Sequence, residues 1–528
     1  MDRFDIVVIG GGSGGCAAAG RLVERGFSVC VLEAGGGNAD MKVRTPGMMP
    51  FLPARTNWRY DTVPQPGIGG RIGYQPRGRG LGGSSAINAM VYIRGHRWDY
   101  DNWAALGCTG WAWDDVLPVF KRSERNVRGA DEWHGGEGPL WVSDQHWTNP
   151  ASRAFVDSAA ALQLPVTRDF NDATQAGFGI HQVTQRGGER WTAARAFLDP
   201  LTGDDRLEVR TGITVERLEI AEGRVTGVAY RRGRRREQVT ARGGVVLSAG
   251  AFGSPQLLML SGIGPGDHLA EHGIDTLLDR RAVGENLQDH LDYVSVWETE
   301  SDVPVGDSLK GKLRVAKAVL EHRRQRSGMM TTPYAEAGGF WQVMPDSPAP
   351  DIQWHFVCAM LDDHGRNPVH GHGISLHACL LRPASRGTVR LGSADASAPP
   401  RIDPQFLSDE RDLPVLRAGV RLSHRIATAP PLSHFGLTDR HPVDLDDDDA
   451  LDDLIRARAD TVYHPVGTCR MGSDADAVVD PTLAVNGLAN LWVADASIMP
   501  RLIGGNTNAP SIMIGERAAD FVTAALRG

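Results

Sequence analysis

The chain has 528 residues, of which 41% are hydrophobic and 23% charged, with 63 glycines and a formal net charge of −8; this length and composition predict a globular protein of two to four domains, roughly, with a large core, and the acidity argues against general nucleic-acid affinity. Cys16, Cys30, Cys108, Cys358, Cys379 and Cys469 are scattered without a C-x-x-C pair, which predicts a reduced, cytoplasmic setting rather than a disulfide framework. No run of about 18 apolar residues predicts a membrane-spanning helix, and the chain enters a strand by residue 4, so no signal peptide is expected.

The first element is a β-branched apolar run, Phe4 to Ile9, of the kind that forms a buried parallel strand. Gly10, Gly12 and Gly15 follow at G-x-G-x-x-G spacing; Ala17 to Glu24 then reads as a helix and Phe27 to Leu32 as a second strand closed by Glu33. Gly10 permits a tight turn, Gly12 lets backbone N–H groups approach a pyrophosphate, and Gly15 lets helix and strand pack closely. Glu33, 23 residues after Gly10, is placed to bind an adenosine ribose. Strand, glycines, helix, strand and acid together predict a bound dinucleotide. An overlapping pattern, Gly11-Gly12-Ser13-Gly14-Gly15, also fits the G-x-S-x-G elbow of serine hydrolases, with Ser13 as nucleophile. That alternative leaves Glu33 unexplained and lacks the preceding strands that usually build such a site.

Residues 35 to 75 are rich in Gly, Pro and Met and read as ordered loops. Arg79 to Asn88, with paired glycines and serines, suits close approach to a phosphate or a flat ring. A helix is predicted near Asp114 to Arg122, and residues 205 to 250 read as a β meander with an arginine-rich hairpin turn at 231 to 236. Lys310 to Arg326 is a basic helix, read as a solvated face with contact to anionic lipid as the alternative. Asp351 to Met360, Gly373 to Leu381 and Thr388 to Leu391 read as strands, and Asp446 to Ala459 as an acid-capped helix. Asp362, Asp363, His364, His370 and His372 form a polar loop whose Gly and Pro and irregular spacing predict no metal site.

Taken together, Gly82-Gly83-Ser84-Ser85-Ala86-Ile87-Asn88, Gly250 to Gly264, Gly284 to His290, Val462 to Gly472 and Val493 to Pro500 resemble, in order and over nearly the whole chain, the signatures of the glucose–methanol–choline (GMC) oxidoreductases. The resemblance implies an α/β fold with a discontinuous Rossmann-like FAD-binding domain (1–155, 191–294 and 460–528) and a substrate-binding domain of sheet and helices (156–190 and 295–459). It implies FAD as the dinucleotide. Beside Gly10, Gly12, Ser13, Gly14, Gly15 and Glu33, the cofactor residues it implies are Ala34, Arg79, Gly82, Gly83, Ser84, Asn88, Ala89, Met90, Val91, Val215, Ala249, Gly250, Asp495, Ala496, Asn506 and Thr507. Some family members attach FAD through a histidine in the Gly-Gly-Ser-Ser loop; that position reads as Ala86, so non-covalent FAD is expected.

Oxidation of an alcohol by a flavin removes the hydroxyl proton and moves a hydride from carbon to flavin N5, and histidine is the natural base. His464 in Val-Tyr-His-Pro-Val-Gly-Thr matches the family's catalytic histidine, and Asn508, 44 residues later, stands where the family has a second active-site His or Asn. The expected roles are His464 as base and Asn508 as partner to the substrate oxygen. Pro510 predicts a helix from there to about Ala525, its N-terminus facing the flavin. His290 is expected to be structural. Glu336 resembles the carboxylate that contacts the choline headgroup in choline oxidases, with a structural hydrogen-bonding role favoured, and Arg382 stands where those enzymes carry a histidine. The expected reaction is oxidation of a primary alcohol to an aldehyde, with a quinone or other carrier as acceptor; the alternative is an oxidase reducing O2 to H2O2. Peripheral contact at the inner face of the membrane and a homo-oligomer stay open.

Overall fold

The β-branched run at the N-terminus is a strand, Arg3–Ile9, buried from Ile6 onward. In a computed structural model describing residues 2–367 and 369–528 it is the middle of a seven-stranded sheet. Val29–Glu33 pairs with it on one side and Arg235–Leu247 on the other, both parallel. Leu207–Thr211 extends the parallel edge beside Val29–Glu33. Leu491–Val493 adds a further parallel partner at 245–247.

The segment 205 to 250 is therefore not one meander. Only Ile213–Ala221, Arg224–Arg232 and Arg235–Leu247 form an antiparallel ribbon. A single residue, Gly212 at φ +71°, separates Leu207–Thr211 from Ile213–Ala221. One residue is too short for a hairpin, so the chain bends there and the two strands take opposite edges of the sheet.

The helix after the glycine loop starts earlier than its apolar pattern suggests, at Ser13, and runs to Glu24. It packs on the C-terminal helix Asn508–Arg527 so closely that a Cβ on Gly515 would lie 2.2 Å from the Gly14 carbonyl oxygen. The small residues Gly14 to Gly20 make that approach possible.

A second seven-stranded sheet is antiparallel throughout: Gly177–Ile180, Ala335–Trp341, Ile352–Val357, His372–Leu380 and Leu291–Thr299 run across it in that order, with Thr438–Asp439 and Asp460–Thr461 both on Leu291–Thr299. Alternation divides it into two faces. Ile352, Trp354, Phe356, Ile374, Leu376 and Ala378 enter a core shared with helices Pro150–Ala161 and Asp412–Thr428. Gln353, His355 and His377 take the other face, toward the first sheet. Among the described residues no helix is long and apolar enough to cross a membrane.

Candidate active site

Between the two sheets lies a cavity of about 930 Å³ lined from both, at the upper end of the size of small-molecule and cofactor sites, about 300–1,000 Å³. At one end the glycine loop forms its wall. A Cβ on Gly15 would sit 2.0 Å from the Gly10 carbonyl oxygen, and one on Gly83 would sit 2.7 Å from the Gly12 Cα. Only glycine allows the helix, the strand end and the 80–83 loop to meet there. The helix Ser13–Glu24 has no side-chain cap and no acid in its first turn, which leaves its first N–H groups and its positive end available to an anion.

Glu33 has a more structural part than its spacing alone suggests. Its carboxylate accepts the N–H groups of Gly11, Gly35 and Gly80, each at 2.8 Å. It thus ties the glycine loop, the end of its own strand and the 78–83 loop together. A carboxylate has about four lone-pair directions, so one remains for a ribose hydroxyl in the cavity that Glu33 also lines.

At the other end stands His464. Asp289 holds its backbone, with Oδ1 accepting the His464 N–H at 2.8 Å while Oδ2 accepts the Thr461 hydroxyl (2.6 Å) and the Gln75 amide (2.9 Å). Burial pushes the Asp289 carboxyl up to about 6 despite those bonds and the charge of Arg77. The His464 ring meets His290 through Nδ1 to Nδ1 at 3.0 Å, and Nε2 of His290 lies 3.2 Å from the Leu381 carbonyl. A carbonyl only accepts, so His290 carries its proton on Nε2 and its Nδ1 is the acceptor. His464 then donates from Nδ1, and its Nε2 carries the lone pair. Burial, then the neighbouring His290 and His355 rings and Arg77, holds His464 well below the usual histidine range, which keeps it in the neutral form a base requires.

The amide facing that lone pair belongs to Asn506. Gln353 donates to its Oδ1 at 3.0 Å, which orients its Nδ2 toward His464 Nε2 (3.3 Å) and His355 Nε2 (3.4 Å). His377 stands directly opposite His355 in the sheet and bonds Asp292 at 2.6 Å. Burial, followed by the His181 and His377 rings, takes His355 down to about 3.

Of the sequence-predicted residues, Gly10, Gly12, Ser13, Gly14, Glu33, Ala34, Gly83, Ser84, Asn88, Ala89, Met90, Val91, Val215, Ala249, Gly250, Asp495, Ala496, His464, Asn506, Thr507 and Asn508 all line the cavity. Gly15, Arg79 and Gly82 do not. Gly15 serves the packing of helix on strand, Arg79 lies over the Trp58 ring (4.8 Å), and Gly82 donates its N–H to the Gly11 carbonyl. Asp495 caps the turn after its strand and accepts the Ser254 hydroxyl and the Gly250 N–H. Asn508 starts the C-terminal helix and takes the Ser13 hydroxyl on its Oδ1 at 2.7 Å. Asn506, assigned in the sequence to the cofactor, is the amide that meets His464.

Most of the remaining residues singled out in the sequence have definite partners. Ala86 is fully buried and does not line the cavity, whereas Ile87, next to it, does, along with Gly83 and Ser84. Neither Ala86 nor Ile87 has an atom able to bond covalently to a flavin. His290, expected to be structural, is the direct hydrogen-bond partner of His464. Glu336 is buried behind the second sheet, bonded to Thr332, Ser152 and the Asn149 N–H, and Arg382 pairs with Asp99 at 2.6 Å. In the 362–372 loop, Asp362 pairs with Arg458, His370 with Asp307, and His372 with Ser308; the side chain of His364 lies outside the described residues. His355 and His377 escaped the sequence reading. Their signal is polar residues alternating with apolar ones, Gln353 and His355 in one strand and Ser375 and His377 in the other, visible only once each run is read face by face.

A sheet with a parallel centre whose glycine loop opens on a cavity defines a dinucleotide-binding protein of the Rossmann type. Comparison with known proteins narrows the class. The N-terminal GMC oxidoreductase family model matches residues 4–292 and the C-terminal one residues 383–515. The chain is 42% identical to an alcohol dehydrogenase [acceptor] of Pseudomonas putida (98% of this chain, 95% of that protein) and 39% identical to the mitochondrial choline dehydrogenase of Mus musculus (99% and 89%). Among solved structures, pyridoxine 4-oxidase from Mesorbium loti aligns with TM-score 0.87 and 34% identity (98% of both chains), and the FAD-containing formate oxidase of Aspergillus oryzae with 0.92 and 28% (99% and 98%). The chain belongs to the GMC oxidoreductase family.

Proposed function

We propose that the protein oxidises a primary alcohol to an aldehyde, with non-covalent FAD in the cavity and a quinone or other carrier as electron acceptor. The first sheet and its loops serve the cofactor and the second sheet the substrate. The glycine loop and the uncapped helix starts at Ser13 and Asn508 receive the phosphates and the flavin ring, with Glu33 at the ribose. FAD bound there supplies the hydride acceptor, flavin N5.

The observation that carries the reading is His464 Nε2, left unprotonated by the bond from Nδ1 to His290 and met within the cavity by the Asn506 amide at 3.3 Å. An alcohol oxygen entering from the cavity takes the place of the amide on Nε2, gives its proton to Nε2 and accepts a hydrogen bond from the displaced Asn506 Nδ2 beside it. That donor stabilises the oxyanion that forms as the proton leaves. Asn508, with Oδ1 taken by Ser13, keeps its Nδ2 as a second donor. The hydrolase reading of Ser13 has no comparable support, since the Ser13 hydroxyl bonds an amide.

Relatives and solved neighbours named as oxygen-dependent choline dehydrogenase and as oxidases favour a second reading, O2 as acceptor. One experiment tests both. The purified protein is titrated without oxygen with aliphatic, benzylic and choline-type alcohols while the visible spectrum is recorded. A yellow protein bleached by one class supports alcohol oxidation, and rapid return of colour in air supports the oxidase. A yellow protein bleached by none of them would sink the proposal.

A further inference from the structure

The helix Leu309–Gln325 turns an unusual face to solvent. Its inner side, with Ala318 and the partly buried Val315 and Val319, packs with Met329, Met330 and Met48 in a small core, and Gly311 and His322 are buried on the same side. Directly opposite, Leu309, Leu313, Ala316 and Leu320 recur at steps of four, three and four, which aligns them in one stripe. The three leucines are 77%, 64% and 54% exposed. Exposed cations border the stripe on both flanks, Lys312 and Arg323 on one side and Lys310, Lys317 and Arg324 on the other. Over its length the helix carries six Lys or Arg and a single acid, Glu321, in a chain whose net charge is −8. Among the described residues Lys312, Lys317, Arg323 and Arg324 have no carboxylate within ion-pair distance, and Lys310 reaches Asp302 only at 3.9 Å.

A water-facing surface does not explain a leucine ridge, and a polyanion site does not explain it either. A ridge of leucine between two rows of cations matches a helix lying in the headgroup layer of an anionic bilayer, with leucines at the acyl boundary and ammonium and guanidinium groups at the phosphates. The same core joins the helix to a wall of the cavity. Met48 packs in the core beneath the helix, and its own segment exposes Phe51 (56%) while Met49, Pro50, Leu52 and Pro53 line the cavity.

We propose that the helix Leu309–Gln325 docks the protein on an anionic phospholipid surface and so brings the 46–54 wall of the cavity, joined to it through Met48, near the bilayer. The proposal stands apart from the alcohol-oxidation reading, because binding is measured without turnover. The FAD-loaded full chain is sedimented with phosphatidylcholine vesicles with and without phosphatidylglycerol. The expected result is sedimentation with the phosphatidylglycerol vesicles, weakened by salt. The triple variants Leu309→Gln/Leu313→Gln/Leu320→Gln and Lys310→Gln/Lys317→Gln/Arg324→Gln should each bind about tenfold more weakly or worse, with unchanged melting temperature and unchanged flavin reduction in solution. A wild type that stays in the supernatant, or variants that sediment like the wild type, would overturn the proposal. So would a dimer that the leucine variant converts to monomer without any vesicle binding, because the stripe would then belong to a second copy of the chain.

Discussion

His464 and His290 face each other through their Nδ1 atoms at 3.0 Å, with the rings nearly perpendicular at 88°. Because the Leu381 carbonyl claims the proton on His290 Nε2, the pair has one consistent arrangement of protons. A backbone carbonyl on one strand end thereby decides which nitrogen of His464 is the base.

Replacing the base itself is the most direct test. His464→Ala should retain FAD and lose about 10²–10⁴-fold in the rate of anaerobic flavin reduction by alcohol, measured by stopped flow. Unchanged reduction kinetics would remove His464 from the chemistry.

His290→Phe keeps the packing of a ring but takes away the acceptor for His464 Nδ1–H. Free to place its proton on either nitrogen, His464 spends less time as a base on Nε2. We expect flavin reduction to fall about 10–100-fold, a loss of the size that slight misplacement of a catalytic group causes, with a shifted pH profile and FAD content unchanged. A variant with a wild-type rate and pH profile would show that His290 only fills space.

Asn506→Ala and Asn508→Ala separate two neighbouring amides. Asn506→Ala removes the donor facing His464 Nε2 and should cut the reduction rate about 10²-fold with little change in FAD affinity. Asn508→Ala also frees the Ser13 hydroxyl at the glycine loop and should lower FAD retention as well as rate. Equal effects on both properties in the two variants would contradict this division.

Gly15→Ala places a methyl group against the Gly10 carbonyl oxygen. The overpacking should cost about 1–3 kcal/mol and open the phosphate loop. The expected outcome is a lower melting temperature and a colourless protein, read by thermal denaturation and flavin absorbance.

Asp289 carries a pH dependence whose sign follows from its raised pKa. Its carboxyl sits at about 6 in the folded protein and about 3.9 when unfolded, so the folded state binds the proton more tightly. Its contribution to stability is complete below about pH 4 and is lost as pH rises through about 6. The difference amounts to about 2–3 kcal/mol. Melting temperatures between pH 4 and 7 should show this loss in the wild type, and Asp289→Asn, which has no proton to lose, should lack it.

Some of this architecture can be read along the chain because it depends on neighbours in sequence. The strand Arg3–Ile9, the glycine loop and the second strand ending at Glu33 are local, since β-branched residues, turn glycines and short spacings act within a few residues of one another. His464 and Asn508 were reachable through the motifs that hold them. What only the tertiary structure decided are relations between strands far apart in sequence. The Leu381 carbonyl, His290 and His464 come from three separate segments, and no local pattern announces that they will share a line of protons. Gln353, His355 and His377 look like ordinary members of two apolar strands until pairing puts them on one face. Asn506 and Asn508 are two residues apart, and only the packing of the C-terminal helix against the glycine loop sends one amide to the histidine and the other to Ser13. Backbone preference is written residue by residue, but the position of a proton is set by whichever acceptor the fold brings within 3.2 Å, and that depends on the whole chain.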